Sequence, residues 1–239
     1  MPTAPSLPIL QRAVERADWT VVLEARRQGT PWEQLRTRAG LTALGRALLL
    51  DSADIVEQML VLGASTERIV LKNGTELSPL GIAMTQENPE LVHLLLDAGV
   101  DPNEPDPADA LATPPLIKAA VRGWTQAVGQ LLRCGANPNA RDANGQTAWV
   151  HLVSGLDQPD VEGAPLLKAL ASLLQAGAQP SEGSLARIDA FARRHPDGTV
   201  REAGAALVEG SKKAHAFRES LHLSQALEPR STSGSEHRL

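Results

Sequence analysis

The chain has 239 residues, a formal net charge of −5 at pH 7 and a hydrophobic fraction of 42%. That length is sufficient to bury a substantial core, and an aromatic fraction of 3% requires a core built mostly of leucine, valine and alanine. The mildly acidic balance argues against the basic stripe of a nucleic-acid-binding protein, and the single cysteine, Cys134, excludes an intramolecular disulfide.

Nothing in the sequence predicts a membrane or secretory segment. No stretch approaches the roughly 18 consecutive apolar residues of a membrane-spanning helix, and the N-terminus carries no basic leader followed by an apolar run. The lone cysteine fits a reducing compartment. Arginine outnumbers lysine 18 to 5, a bias typical of GC-rich bacterial genomes. We therefore expect a cytoplasmic bacterial protein that binds neither membranes nor nucleic acid.

In chain order, a helix that ends in glycine recurs along most of the sequence. Residues 52–65, SADIVEQMLVLGAS, place apolar residues three and four positions apart and then reach Gly63. The pattern returns at 88–101 and 124–137. A glycine just after a helix adopts the left-handed conformation without steric cost. Five glycines fit this role: Gly29, Gly63, Gly99, Gly135 and Gly177.

Another helix is predicted before each of these, because a capping residue or a proline marks its first turn. The start positions are Pro8, Thr42, Ser78, Pro114 and Thr147, which lie 33 to 36 residues apart. An alanine, such as Ala47 or Ala83, recurs 16 residues before the terminal glycine of the first four copies, where two helices would pack closely. One repeat therefore comprises a helix, a short turn, a second helix and an extended loop, in about 33 residues.

These repeats resemble the ankyrin-repeat family. Residues 139–152, NARDANGQTAWVHL, carry the family's D-x-x-G-x-T opening, and residues 130–147 carry its L-L-x-x-G-A-x-x-N junction. The resemblance covers roughly residues 8–180. It implies an all-α fold, a solenoid of helix–turn–helix units with projecting loops that are called fingers.

One departure from the family concerns the histidine of its T-P-L-H motif. Other residues hold its position, namely Gln11, Gly45, Gly81, Ile117 and Val150. Without the buried hydrogen bonding of that histidine we expect looser or less stable repeats. Trp149 replaces the leucine of the motif in the fifth repeat and is expected to be buried.

The chain is predicted to have three regions. Residues 1–183 form a stack of about five repeats, residues 184–227 form a degenerate repeat that serves as a helical C-terminal cap, and residues 228–239 form a disordered tail. The loops that exceed the usual length are the fingers at 30–41, 64–77 and 100–113 and an insertion at 154–165. Long loops inside compact repeats are often functional.

No catalytic motif with the required spacing is present, and we predict that the chain is not an enzyme and holds no cofactor or metal. The sequence lacks a nucleophile elbow, a phosphate loop and a zinc-binding H-E-x-x-H. Cys134 has no identifiable base beside it, and His151 is more typical of a surface or core residue than of a ligand. A cryptic site in the insertion remains the weakest alternative.

The resemblance implies that a partner protein binds at the fingers and at the exposed ends of the first helices. The expected partner-binding residues are Trp32, Arg36, Arg38, Lys72, Asn73, Thr85, Gln86, Asp106, Asp109, Arg122, Arg141, Asn144, Gln146, Asp157 and Asp160. The same register places Leu49, Leu50 and Val121 at the helix ends. Trp32 has two interpretations: it anchors a partner, or it covers the exposed N-terminal end.

Acidic residues in the third finger and in the insertion indicate a partner with a basic surface. They are Glu104, Asp106 and Asp109 in the finger and Asp157, Asp160 and Glu162 in the insertion. Such a partner would be a toxin, an effector or an enzyme.

The sequence therefore predicts a non-enzymatic protein–protein interaction module that is monomeric when free. A sharper form of this hypothesis is an immunity or inhibitor protein that neutralises a bacterial toxin or effector. The alternatives are an adaptor or regulator of a resident cytoplasmic enzyme and a secreted effector that acts in another cell.

Overall fold

The structure of the chain is a computed structural model that describes residues 6–158 and 162–227, with only the backbone described for 217–227. The predicted disordered tail lies outside the described residues, as does Asp160 of the predicted insertion. The chain divides into two compact units, Met1–Pro180 and Ser181–Leu239.

The described residues of the first unit contain five helix pairs. The first helices of the pairs are α1 (Leu7–Arg16), α3 (Ala43–Leu49), α5 (Pro79–Thr85), α7 (Pro115–Val121) and α9 (Ala148–Gly155). The second helices are α2 (Trp19–Arg27), α4 (Ala53–Val61), α6 (Pro89–Asp97), α8 (Thr125–Arg133) and α10 (Gly163–Gln175). The predicted all-α, helix–turn–helix organisation is confirmed.

The helices of this unit pack in two layers. First helices contact the first helices of neighbouring repeats, from α1 and α3 through to α7 and α9, and second helices contact one another from α4 to α10. Ala47, Ala83 and Ala119 are fully buried, which confirms the small residues expected where helices pack closely. Trp149 is also buried, as predicted.

In most repeats the structure contains the predicted helix-start residues and the left-handed glycines at the helix ends. Thr42 Oγ1 accepts a hydrogen bond from the Gly45 N–H at 3.0 Å, and Ser78 Oγ accepts one from the Gly81 N–H at 3.3 Å. Thr147 precedes α9 without a side-chain cap. All five glycines that follow the second helices have a φ between +78° and +96°, so the left-handed prediction is confirmed.

A second left-handed position, which sequence reasoning missed, lies in the turn between the two helices of a repeat. Ala17, Asp51, Glu87 and Gly123 occupy it in the first four repeats, with φ between +53° and +69°. A side chain with a Cβ in this conformation costs about 1 kcal/mol relative to glycine. Of these four repeats, only the fourth has a glycine, Gly123, at this left-handed position.

The second finger contains a hairpin that the sequence analysis did not predict. Strands β1 (Ile69–Val70) and β2 (Glu76–Leu77) pair antiparallel, and Gly74 in the connecting turn has φ +83°. The Lys72 N–H donates to the carbonyl oxygen of Ala39 at 2.9 Å. The first and second fingers therefore lie side by side.

Finger side chains fill the space left by the absent T-P-L-H histidine. A Cβ on Gly45 would overlap the side chain of Ile69 in the second finger, and a Cβ on Gly81 would overlap that of Asp106 in the third. Ile69 is buried in this position. At two repeats, finger side chains therefore occupy the space beside the glycine, and the expected looser or less stable repeats stay a prediction.

The second unit contains two helices, α11 (Glu182–Arg194) and α12 (Gly198–Leu227), which pack on each other. Asp197 caps the start of α12 by accepting hydrogen bonds from the Thr199 N–H and hydroxyl, both at 2.8 Å. These bonds lower the pKa of Asp197. The sequence predicted both helices, and the role of this unit as a cap for the stack stays a prediction.

Candidate protein-binding face

We call the fingers together with the C-terminal ends of α1, α3, α5, α7 and α9 the finger face. In the third finger, the Asp109 carboxylate lies 2.9 Å from Lys118 Nζ on α7. It also accepts hydrogen bonds from the N–H groups of Leu111 at 3.0 Å and Thr113 at 3.2 Å. The Lys118 ammonium holds the pKa of Asp109 well below its ordinary value. The third finger is therefore fixed to the helix that follows it.

The fourth finger, residues 136–146, is fixed in the same way. Asp142 Oδ2 lies 2.9 Å from His151 Nε2 on α9, and Asp142 accepts hydrogen bonds from the N–H groups of Gln146 and Asn144. The Gln146 N–H and then His151 are the main causes of a lowered Asp142 pKa. His151 therefore orders a finger.

The pairs Asp109–Lys118 and Asp142–His151 occupy the same two positions of the repeat, and this regularity is visible in the sequence. Asp109 and Asp142 lie five residues before the start positions Pro114 and Thr147, and Lys118 and His151 lie four residues after them. Sequence reasoning listed the finger acids as partner contacts because it treated each finger by itself.

The other carboxylates of the third finger also have intramolecular contacts. Glu104 forms a close ion pair with Arg68 of the second finger, and Arg68 lies 3.3 Å from Glu76 as well. Asp106 accepts a hydrogen bond from the Ala108 N–H at 3.1 Å and packs over Gly81. Two of the three third-finger acids that suggested a basic partner therefore form ion pairs within the chain.

Apolar side chains are exposed along the finger face. Leu49 and Leu50 at the end of α3 are 39% and 42% exposed, and Val121 at the end of α7 is 61% exposed. Val70 and Leu111 project from the second and third fingers. Exposed apolar residues that recur at equivalent positions of a repeat form a surface suited to contact with another protein.

The remaining predicted contact residues fall into two groups. The exposed ones are Arg38, Lys72, Asn73, Thr85, Arg122, Arg141, Asn144, Gln146 and Asp157. Trp32, Arg36 and Gln86 are half-buried, as are Asp106 and Asp109. Arg122 lies 3.9 Å from Glu87, and Arg141 donates to the carbonyl oxygen of Gly145 at 2.7 Å.

Asparagine side chains bridge the later repeats. Asn103 Nδ2 donates to the Gly135 carbonyl at 3.0 Å, and Asn103 Oδ1 accepts from the Asn137 N–H at 2.8 Å. Asn139 repeats this geometry with the Gly177 carbonyl at 3.0 Å and the Gln179 N–H at 3.1 Å. Each asparagine lies four residues after a terminal glycine, so one motif position links each repeat to the next.

The first two repeats are linked by a different device. Trp32 Nε1 donates to the Leu62 carbonyl at 3.1 Å, and the Arg26 guanidinium donates to the same oxygen and lies 5.5 Å from the centre of the Trp32 ring. The indole thus ties the first repeat to the end of α4. The sequence analysis did not predict this contact, and the role of Trp32 as a partner anchor stays a prediction.

Comparison with known proteins identifies the repeat type. A family model of ankyrin repeats, in three copies, matches residues 80–178. Residues 80–178 are therefore ankyrin repeats. A crystal structure of an ankyrin repeat domain from Acinetobacter baumannii AYE is similar to it, with a TM-score of 0.56 and 23% sequence identity over 84% of this chain and 96% of that one. No curated protein sequence matched the chain.

Among the described residues, no group of three or more histidine, cysteine, aspartate or glutamate side chains is arranged to hold a metal ion. Within the same residues no helix is both long and apolar enough to cross a membrane. Ankyrin repeats are typically non-enzymatic binding scaffolds and indicate a protein–protein interaction module.

Proposed function

We propose that the finger face of this protein binds one partner protein and that the chain is not itself an enzyme. The observation that carries the proposal is the row of exposed apolar side chains at the ends of the first helices, Leu49, Leu50 and Val121. Covering apolar surface is the main favourable contribution to most protein–protein association.

The fixed fingers support the same proposal. Asp109 with Lys118 and Asp142 with His151 hold two fingers against their helices before any partner arrives. Loops that are ordered in the free protein lose little conformational entropy on binding, which favours affinity. Trp32 has its indole N–H bonded to Leu62, and we assign it to the support of the face.

Affinity capture from a lysate of the source organism tests this proposal. The wild type is compared with variants on the finger face and with one variant on a second helix. Leu49→Glu and Val121→Glu place a charge on the finger face. Val61→Glu is the matched control, because Val61 is 82% exposed on the second helix α4. Circular dichroism would establish that all three variants fold.

The expected result is one stoichiometric partner that the wild type and Val61→Glu retain and that both finger-face variants lose. A partner retained by both finger-face variants would overturn the proposal, as would the absence of any stoichiometric partner. Measuring the activity of the captured partner with and without the chain then separates two finer hypotheses. An immunity or inhibitor protein abolishes that activity, whereas an adaptor leaves it intact or changes where it acts.

A further inference from the structure

Four cations belong to the first two fingers and to the last turns of α1 and α3. The Arg38 N–H donates to Glu15 Oε1 at 3.1 Å, and Arg46 Nη2 donates to the main-chain oxygen of Glu15 at 3.1 Å. Arg16 follows Glu15 in the chain, and Lys72 is joined to the first finger through Ala39. We call Arg16, Arg38, Arg46 and Lys72 the basic cluster.

Most of this positive charge is not neutralised. Glu15 is the carboxylate beside the cluster, and its oxygen lies 3.9 Å from Arg38 Nε, a side chain that is 71% exposed. Within the part of the chain that the structure describes, no carboxylate lies within ion-pair distance of Arg16, Arg46 or Lys72. Asp51, which follows Leu50, accepts a hydrogen bond from the neutral amide of Asn88 at 2.7 Å and keeps its negative charge. The four cations are thus set against two carboxylates, Glu15 and Asp51. The cluster therefore presents a net positive surface.

The third finger differs, because two of its acids form ion pairs. Lys118 pairs with Asp109, and Arg68 pairs with Glu104. A chain with a net charge of −5 thus presents a positive region on its finger face. Such a region attracts partners of the opposite sign and orients them during the encounter.

Exposed leucines lie beside the basic cluster. Leu49 and Leu50 follow Arg46 by three and four residues on α3, so they share one helical face with it. Apolar side chains next to cations suit a protein segment that carries both leucine-like and acidic residues. A nucleic acid would satisfy the cations and leave these leucines exposed to water.

We infer that the N-terminal half of the finger face binds an acidic, apolar-containing segment of the partner protein, whose carboxylates meet Arg16, Arg38 and Lys72 and whose apolar side chains cover Leu49 and Leu50. This inference rests on the proposed function and names the chemistry of the partner. The sequence predicts a basic partner surface, whereas this inference names an acidic partner segment.

A defined peptide provides the test. The probe is a labelled synthetic peptide that alternates pairs of leucine and glutamate, titrated with the full chain and followed by fluorescence anisotropy. The comparison probes are the same peptide with lysine for glutamate, the same peptide with glycine for leucine, and a single-stranded oligonucleotide.

Two triple variants with the same change in net charge complete the design. Arg16→Glu, Arg38→Glu and Lys72→Glu reverse the cluster, whereas Arg27→Glu, Arg133→Glu and Lys168→Glu reverse three exposed cations on the second helices α2, α8 and α10. Arg46 is left unchanged because it bonds to the end of α1. Circular dichroism would verify the folding of both.

The leucine–glutamate peptide is expected to bind at least about tenfold more tightly than each of the three comparison probes, and reversal of the cluster is expected to weaken it by about tenfold or more. The second-helix triple variant should change the affinity less than about threefold. Equal weakening by both variants, or an oligonucleotide bound as tightly as the peptide, would overturn the inference. So would an absence of peptide binding. A captured partner that depends on Leu49 and Val121 but tolerates reversal of the cluster would overturn this inference and leave the proposed function in place.

Discussion

Two regions of the stack hold their repeats together by different means. Repeats three to five use Asn103 and Asn139, each with a pair of hydrogen bonds to the next repeat. Repeats one and two use Trp32 and Arg26, which converge on one carbonyl at Leu62. The family model matches from residue 80 onward, where the asparagine junctions lie. The part of the chain that matches the family is thus the part with asparagine junctions. The paired-helix fold is also present before residue 80, where Trp32 and Arg26 make the junction.

The tryptophan junction is expected to give the largest stability effect. Trp32→Ala removes the indole hydrogen bond and the contact with Arg26, and we expect the free energy of unfolding to fall by about 2–3 kcal/mol. Because repeat stability depends on nearest neighbours, hydrogen exchange should increase most in α1 and α2. Trp124→Ala is the control, since Trp124 is half-buried and lies beside its own Arg122. Exchange that increases evenly through all repeats would contradict this prediction.

The asparagine junctions should give the next largest effect. Asn139→Ala removes two hydrogen bonds and leaves the Gly177 carbonyl and Gln179 N–H without that partner, so a loss of about 2 kcal/mol is expected. Asn103→Ala should match it, because the geometry is the same. Asn144→Ala, at an exposed finger position, should change stability by less than about 0.5 kcal/mol. Denaturant unfolding of the three variants measures the difference; similar values for all three would show that the bridges contribute little.

The third finger makes a pH-dependent contribution to the free energy of unfolding. Its ion pair lowers the pKa of Asp109 in the folded chain below the unfolded value of about 4. The stabilisation is therefore present above that pH and is lost as the pH falls toward the folded pKa. Asp109→Asn should cost about 1–2 kcal/mol at neutral pH, and its deficit relative to wild type should shrink below about pH 4. Unfolding measured over this pH range tests the sign, and a deficit that grows with acid would refute it.

The turn between the helices should give the smallest effect, and a gain. Glu87 and Gly123 occupy equivalent left-handed positions in repeats three and four, with φ +57° and +69°. Glu87→Gly should stabilise the chain by up to about 1 kcal/mol, whereas Gly123→Ala should destabilise it by a similar amount. Thermal unfolding compares the two. If both variants changed the stability in the same direction, backbone conformation would not be the main determinant of stability at this position.

Local sequence patterns accounted for much of the fold. Apolar spacing placed the helices, Thr42 and Ser78 marked two helix starts, and Gly63 with its counterparts marked the ends, because these features depend on residues within one turn of helix. Ala47 and its counterparts were expected at close helix contacts because they recur at one position of the repeat. Of the binding face, the sequence indicated Leu49, Leu50 and Val121 through their register in the repeat.

Contacts between distant residues required the tertiary structure. Glu104 pairs with Arg68 across two fingers, Trp32 bonds to Leu62 in another repeat, and Asp106 covers Gly81. No periodic pattern encodes such contacts, since the fingers vary in length and their side chains meet partners more than twenty residues away in the chain.

By itself, the sequence determined a stack of helical repeats with exposed fingers, because helix periodicity and capping are local properties of the chain. The tertiary structure decided which charges of the finger face are neutralised. That outcome depends on distances between side chains on different repeats, and these distances follow from how the repeats pack. Two acids of the third finger, Glu104 and Asp109, form ion pairs. Among the described residues, by contrast, Arg16, Arg46 and Lys72 have no carboxylate within ion-pair distance.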